Sequence, residues 1–259
     1  MSEKTTIHLV IQRKGGAGKS MFTILNALKF DSKGLLETSK KKNGTEKMAA
    51  AFIDADNETY TLSKKVNFLK GKTPSVLYVE NLTDEKASMV RDKLLYAMKE
   101  WAEMTFEDVY VDFGAGESSQ LAHMFELDYP IGQIKQYADH IGANLVFDII
   151  VAGGDNFSIH VNYMKQMVDL IKGLFEVNIW VNEHSFYQQQ SLINEIREYQ
   201  MAVNEAVPGS IAEVRLFGGF DLKSDVTSQI IKNLALGKPF KEFEFLEKLK
   251  LESEFLKLK

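Results

Sequence analysis

The feature that most constrains this chain is a glycine-rich loop between an apolar run and a helical pattern. Residues 7–11 have the composition of a buried strand, and residues 21–28 have helical periodicity. The loop between them reads Lys14-Gly15-Gly16-Ala17-Gly18-Lys19-Ser20. A strand, a glycine-rich loop and then Gly-Lys-Ser at the start of a helix form the arrangement that cradles phosphate groups. The pattern therefore predicts an α/β fold with a phosphate site at this loop.

The residue types in the loop predict ATP and Mg²⁺ as the cofactors. Glycines allow the backbone to approach closely, so that N–H groups converge on phosphate oxygens. The Lys19 ammonium would lie against the β- and γ-phosphates, and the Ser20 hydroxyl would be a Mg²⁺ ligand. The predicted nucleotide-binding segment comprises Gly15, Gly16, Ala17, Gly18, Lys19, Ser20 and Met21.

The loop departs from the strict phosphate-binding motif at one position and matches a variant of that motif instead. The strict pattern has a glycine where this chain has Arg13, which leaves a glycine- and lysine-rich surface turn as the alternative. The loop does match Lys-Gly-Gly-x-Gly-Lys-Ser/Thr, with Lys14 as a second lysine. In this it resembles the ParA/MinD group of deviant Walker A ATPases. The resemblance implies a P-loop NTPase fold, with a mostly parallel sheet and helices on both faces. It also implies a dimer closed over two nucleotides, in which Lys14 reaches the partner's nucleotide.

Composition bounds the class of protein. With 259 residues and 45% hydrophobic residues, the chain can form one α/β domain over residues 1–259. The absence of cysteine excludes disulfides and thiolate zinc sites. Neither a signal peptide nor a bilayer-spanning run is visible, so we expect a cytoplasmic protein. The net charge of -5 makes DNA a possible but disfavoured partner.

Aspartates follow the second predicted strand of the sheet. Residues 48–53 form an apolar run that leads into Asp54 and Asp56, which alternation places on the same side of the chain. Carboxylates at the end of a parallel strand lie where open α/β sheets bind ligands, although a solvated turn or a helix N-cap is the alternative. The family resemblance implies that Asp56 belongs to switch I and helps to position the attacking water. Asn57 stands where the family commonly has proline.

A third acidic position follows the next buried strand. A strand is predicted over residues 106–113, in which Val109, Tyr110 and Val111 lead into Asp112, with a glycine loop after it. An acid at the end of an apolar strand is the Walker B arrangement, in which it holds Mg²⁺, usually through water. The string resembles the family's Asp-x-x-x-Gly switch II, which Asp112 and Gly116 match.

Further strands are predicted over residues 75–79, 143–152, 177–181 and 211–217, and helices over 84–101 and 156–173. Asn182 ends the 177–181 strand. In related nucleotide-binding proteins an asparagine here recognises the adenine edge, and a turn asparagine is the alternative. Residues 31–47 are lysine-rich and predict a solvated loop or, alternatively, a partner or nucleic-acid contact.

The end of the chain, residues 239–259, predicts an amphipathic helical segment. Phe and Leu alternate there with five lysines and five glutamates, so the charges cancel. A surface helix that seeks anionic lipid should be net cationic. Packing against the body of the protein or against a protein partner is therefore favoured over membrane binding.

Within the family the chain looks most like TraL-type proteins of plasmid conjugation and mobilisation. This closer resemblance depends on four short strings, which are residues 7–12, 56–62, 111–115 and 151–154. It implies a plasmid transfer partner, with partition and cargo-positioning relatives left open. The resulting hypothesis is a slow ATPase that acts as an ATP-dependent dimerisation switch, with Lys14, Lys19 and Asp56 as catalytic residues. The alternatives are an ATP-dependent carboxylate–amine ligase of related fold and a non-hydrolysing nucleotide-binding scaffold.

Overall fold

The computed structural model describes residues 4–37, 39–42, 45–86, 88–187, 189–221 and 223–258. Within these residues the chain forms eight β-strands and nine α-helices. The strands are β1 Thr5–Ile11, β2 Ser39–Lys42, β3 Thr45–Ala55, β4 Leu77–Val79, β5 Phe106–Phe113, β6 Ala143–Ala152, β7 Glu176–Asn182 and β8 Glu213–Phe217. The helices are α1 Lys19–Ser32, α2 Thr61–Lys65, α3 Arg91–Glu103, α4 Ala115–Leu127, α5 Ile131–His140, α6 Phe157–Ile171, α7 Ser191–Ala206, α8 Asp225–Ala235 and α9 Phe245–Lys257.

The strands form one sheet in the order β2-β3-β5-β1-β6-β7-β8, and β4 also pairs with β3. Every pairing is parallel except that of β2 with β3. Successive residues of β1, β5 and β6 are mostly buried, as expected when helices cover both faces of a parallel sheet. The predicted α/β fold with a mostly parallel sheet is therefore confirmed.

The strand order explains where a ligand can bind. Strand β1 lies between β5 and β6. Strands β2 to β5 lie on one side of β1, and β6 to β8, which come later in the chain, lie on the other side. Such a reversal opens a crevice at the carboxyl ends of the strands, beside the turn that follows β1. The glycine-rich loop is this turn, so the topology places it at the crevice.

Helix α1 is held over one face of the sheet by large apolar side chains. Phe22 is buried and packs against Trp180 of β7 and Phe217 of β8, with ring centroids 4.7 and 5.4 Å apart. Leu25 and Leu28, one and two turns later, are fully buried as well. This packing fixes the direction of α1 and thereby the position of its first turn, which carries Lys19 and Ser20.

Two sequence predictions of local structure were wrong. Residues 31–47, expected as a solvated loop, contain the end of α1 and an antiparallel hairpin of β2 with β3; residues 38, 43 and 44 lie outside the described residues. The helix expected over 84–101 begins only at Arg91. The carboxylate of Asp84 accepts hydrogen bonds from the backbone amides of Lys86 and Ser88, so it closes a turn and caps no helix.

The C-terminal segment contains helix α9, which packs one side on the body of the protein. Leu251, Phe255 and Leu258 are buried, whereas a second set of apolar side chains is exposed: Phe245, Leu246, Leu249 and Leu256. Among the described residues, none of the helices has both the length and the apolar character that crossing a bilayer requires.

Candidate functional site

The glycine-rich loop has a conformation that two of its glycines make possible. Gly16 and Gly18 have φ values of +79° and +106°, in the region that side chains with a Cβ rarely adopt. A Cβ at Gly18 would also lie only 2.7 Å from Nδ2 of Asn182. The loop therefore requires glycine at position 18 for both its backbone angle and the space around it.

Helix α1 begins at the end of this loop without a side-chain cap. Its N-cap residue is Gly18, and its first turn contains no acidic residue. The first amides of an uncapped helix lack hydrogen-bond partners and carry the positive end of the helix dipole. This start of α1 therefore has the properties of an anion site, as the loop motif predicts.

Lys19 already lies in the crevice. Its side chain is 8% exposed, and its ammonium donates a hydrogen bond to the backbone carbonyl of Gln12 at 3.0 Å, across the loop. Burial lowers the pKa of this ammonium, while three nearby carboxylates oppose the shift: Asp112, Asp56 and Glu117. The loop thus presents a buried cation surrounded by acids, before any phosphate is present.

Asp112 is fully buried at the end of β5, beside Val10 of β1 in the strand register. Among the described residues, neither of its carboxylate oxygens has a hydrogen-bond partner. Burial raises the pKa of Asp112 to about 7, against the opposing effects of the nearby Ser20 hydroxyl and Lys19 ammonium. A buried carboxylate without partners is unfavourable on its own, and a divalent cation or its water would satisfy it. The predicted Mg²⁺ residues, Ser20 and Asp112, are therefore close together and fit this role.

The two aspartates after β3 have different surroundings. Asp54 is fully buried and accepts hydrogen bonds from the amide of Asp56 at 3.2 Å and from that of Ser63, in α2, at 2.7 Å. These two bonds hold the turn and the start of α2, so Asp54 has a structural role. The neighbouring Tyr60 has a φ of +49°, which is unusual for a residue with a side chain.

Asp56 lies at the site but is engaged by its own turn. Its Oδ1 accepts hydrogen bonds from the amides of Glu58 and Thr59, both at 3.2 Å, and its Oδ2 accepts one from the Thr59 hydroxyl. The same Oδ1 lies 3.0 Å from the position that a Cβ of Gly114 would take. The structure therefore brings Asp56 next to the loop that follows β5, with its oxygens turned toward residues 58 and 59.

Lys14 is exposed at the start of the loop, whereas Lys19 is buried at its end. Within the described part of the chain, the Lys14 ammonium makes no hydrogen bond or ion pair. It lies near enough to the buried His160 to contribute to the lowered pKa of that residue, after burial and Lys19. A second copy is needed to test the prediction that Lys14 acts on a partner's nucleotide.

Asn182 supports the loop from the end of β7. Its Nδ2 donates a hydrogen bond to the backbone carbonyl of Ala17 at 3.0 Å. The role predicted for Asn182 at an adenine edge stays a prediction, and in this structure the amide anchors the loop. Met21, the last residue of the predicted nucleotide segment, is half-buried and packs on the core.

Sequence reasoning missed two residues that join the site. Glu117, in the first turn of α4, is 3% exposed, and none of the described residues donates a hydrogen bond to its Oε2. Its Oε1 accepts a hydrogen bond at 3.2 Å from Nδ2 of Asn57, which follows Asp56. The available signal was an acid directly after Gly116, but acids in the first turn of a helix are common on protein surfaces. Its burial depends on the fold.

Comparisons with known proteins add little to this geometry. The chain matches no protein-family model and no curated protein. Among solved structures it is similar to a plasmid partition protein from Borrelia burgdorferi, with 11% sequence identity and a TM-score of 0.43 over 90% of this chain and 96% of that one. A likeness of this size carries no argument about activity or partners. The TraL-type resemblance and a role in conjugation receive no support from it.

Proposed function

We propose that this protein is a slow Mg²⁺-dependent ATPase whose nucleotide state controls dimerisation, as its resemblance to the ParA/MinD group implies. The observation that carries the proposal is that Lys19 and Asp112 lie near each other at the glycine-rich loop. A buried ammonium next to a fully buried carboxylate with two unpartnered oxygens suits a nucleotide–magnesium pair. Both groups lie at the uncapped start of α1, where the triphosphate would bind.

Several residues in and near the loop would contact the nucleotide and Mg²⁺. The amides of residues 15–20 would surround the phosphate oxygens, and Lys19 would exchange its bond to the Gln12 carbonyl for a phosphate. Ser20 and Asp112 would hold Mg²⁺, the latter through water. A bound Mg²⁺ supplies charge neutralisation at the phosphate oxygens.

Hydrolysis needs a group that orients water, and Asp56 is the carboxylate proposed for it. In the present structure both oxygens of Asp56 are occupied by the turn at Glu58 and Thr59. Because a carboxylate oxygen can accept more than one hydrogen bond, Oδ2 could accept one from water beside that from Thr59, and release of Thr59 would free it further.

The proposed dimer depends on Lys14. An exposed ammonium that has no hydrogen bond or ion pair to the described residues, on the same loop as Lys19, can reach the phosphates of a second copy without breaking such a contact. Charge supplied in this way by an arginine finger raises the rate by roughly 10³–10⁵ in other NTPases. Hydrolysis would then be coupled to dimerisation, and the dimer–monomer change would be the output that a partner detects.

The proposed partner is a protein of plasmid transfer or partition, and the proposed location is the cytoplasm. Both come from the sequence resemblance. The net charge of -5 does not favour DNA, and the cancelling charges of residues 239–259 do not favour a membrane.

Solution mass with ADP and with a non-hydrolysable ATP analogue tests the dimer. We expect a monomer with ADP and a dimer with the analogue. Lys14→Ala should bind the analogue and stay monomeric, whereas Arg13→Ala, which removes the neighbouring exposed cation, should dimerise. If Lys14→Ala hydrolyses ATP as a monomer at the wild-type rate, the switch mechanism is wrong.

A non-hydrolysing nucleotide-binding scaffold is the second candidate. The hydrogen bonds that residues 58 and 59 donate to both oxygens of Asp56 favour it, because they hold in its own turn the carboxylate proposed to orient water. Prolonged incubation with ATP and Mg²⁺ distinguishes the two functions. Release of phosphate that Asp56→Ala abolishes supports the ATPase, and tight ATP binding without release supports the scaffold.

A further inference from the structure

The turn that holds Asp56 and the first turn of α4 are joined by one side-chain contact. Asn57 donates a hydrogen bond from Nδ2 to Oε1 of Glu117 at 3.2 Å, and the same amide lies 3.3 Å from the hydroxyl of Thr83. The two residues are 60 positions apart in the chain. This hydrogen bond therefore joins the first turn of α4 to the residue that follows Asp56.

The second oxygen of Glu117 points to a role beyond packing. Oε2 is buried and has no hydrogen-bond partner in the part of the chain that the structure describes. A Cβ at Gly114 would collide with this oxygen and would lie 3.0 Å from Oδ1 of Asp56, so the two carboxylates border the same small space. Burial raises the pKa of Glu117, and the charge of Asp56 raises it further. A buried acid beside another acid is unfavourable for folding alone, which suggests a functional reason for its presence.

We propose that Glu117 is a positioning residue for Asp56. Through its hydrogen bond with Asn57, Glu117 links the first turn of α4 to the turn formed by residues 54–59. When that bond is made, the Asp56 carboxylate is held on the amides of Glu58 and Thr59. A shift of α4 toward or away from bound nucleotide would then change the freedom of Asp56. The inference rests on the proposed ATPase function, which it deepens.

Exchanging the donor and the acceptor tests the link. Asn57→Asp alone places a carboxylate against the Glu117 carboxylate and breaks the bond. Asn57→Asp with Glu117→Gln restores a bond of reversed polarity, because the Gln amide can donate to the new carboxylate. Glu126→Ala removes an exposed acid from the same helix and serves as the control.

Two measurements read the result. In ligand-free protein, hydrogen exchange of the Glu58 and Thr59 amides reports on the turn; in turnover assays, kcat is compared with the affinity for nucleotide. For Asn57→Asp we expect faster exchange and a kcat changed by about tenfold, with affinity within about twofold of wild type. The double variant should return to within about threefold of Glu117→Gln alone. A purely structural role would instead lower affinity and kcat together.

The proposal is overturned if the kcat of the double variant is no closer to that of Glu117→Gln than the kcat of Asn57→Asp is. It is also overturned if Asn57→Asp leaves the exchange of the Glu58 and Thr59 amides unchanged. Should Asn57→Asp fail to fold, Asn57→Ala, Glu117→Ala and their double form a cycle. A double that is no worse than the singles supports the link, and additive effects contradict it. If wild-type protein shows no turnover, the proposed ATPase fails, while exchange at residues 58 and 59 still decides the role of Glu117.

Discussion

The ammonium of Lys19 donates a hydrogen bond to the backbone carbonyl of Gln12 at 3.0 Å, so the two ends of the glycine-rich loop are connected. A buried lysine is otherwise unfavourable, and this bond, with the surrounding carboxylates, keeps it in place. The loop therefore holds its cation in the crevice.

Replacing Lys19 should abolish nucleotide binding with little loss of fold. We expect Lys19→Ala to weaken ATP affinity at least about 100-fold, because charge-assisted hydrogen bonds to phosphate are among the strongest polar contacts. Fluorescence titration with a labelled ATP analogue measures the change. Lys33→Ala, which removes an exposed lysine after α1, is the control and should bind normally. Equal affinity in Lys19→Ala and wild type would place the nucleotide elsewhere.

Replacing Asp112 should stabilise the protein without nucleotide while it removes the proposed Mg²⁺ site. The pKa of Asp112 is raised from its ordinary value near 3.8 to about 7, so the folded state binds this proton more tightly than the unfolded state. Its contribution to the free energy of unfolding therefore decreases as the pH rises from about 4 to 7. At pH 8, Asp112→Asn should unfold with a free energy higher by roughly 1–3 kcal/mol.

Urea unfolding at pH 4, 6 and 8 measures this difference, with the exposed Asp169→Asn on α6 as the control. The gap between Asp112→Asn and wild type should widen with pH, and the variant should have no Mg²⁺-dependent phosphate release. An Asp112→Asn variant that is less stable than wild type at pH 8 would show that the carboxylate has a stabilising partner.

Two glycines of the loop should respond differently to alanine. Gly18 has a φ of +106°, and a Cβ there would meet Nδ2 of Asn182 at 2.7 Å, whereas a Cβ at Gly15 would meet nothing within 4 Å. Gly18→Ala should lower the free energy of unfolding by about 1–3 kcal/mol. Gly15→Ala should change it by less than about 0.5 kcal/mol. Thermal or urea unfolding of ligand-free protein compares the two, and equal effects would contradict the loop conformation.

A charge pair outside the loop, between half-buried His8 and buried Asp148, should make stability depend on pH. His8 of β1 lies 2.8 Å from the carboxylate of Asp148 and stacks on Tyr110. Burial alone would lower the pKa of His8, but Asp148 and Asp108 outweigh it and raise this pKa from 6.5 to about 9. The stabilisation is therefore complete below about pH 6.5 and is lost as the pH rises through about 9.

Asp148→Asn should reduce this stabilisation by roughly 2–3 kcal/mol at pH 6.5 and by much less at pH 10. Urea unfolding across this range measures it, with the exposed Asp155→Asn as the control. A loss that is constant with pH would mean that Asp148 acts through its hydrogen bond with the indole of Trp180, at 2.7 Å, instead of through His8.

Much of the site could be predicted because its parts are local in the chain. The loop from Lys14 to Ser20 is continuous, and its glycines and helix start are recognisable from residue type alone. Asp56 and Asp112 each follow an apolar strand, and parallel strands bring their carboxyl ends to one edge of the sheet. Order along the chain was therefore enough to predict that these groups meet.

The failures concern segments where one residue has several local uses. Asp84 was expected to cap a helix, but it closes a turn, because the same carboxylate can accept amides in either geometry. The lysine-rich residues 31–47 were expected as a loop, and pairing of β2 with the long strand β3 extends the sheet there. Polar composition does not reveal an edge hairpin whose partner strand is mostly buried.

Residue order and type were sufficient to predict the glycine-rich loop, the buried strands and the two acids at their ends, because each is recognised from residues that lie within a few positions of one another. The contacts of Asn57 with Glu117 and of Asn182 with Ala17 join residues 60 and 165 positions apart, and they arise only when the strands are assembled. Burial, which makes Asp112 an unpartnered carboxylate and Glu117 a neighbour of Asp56, depends on how the whole chain packs. Packing therefore determined which polar groups lie inside the protein, and the local sequence could not.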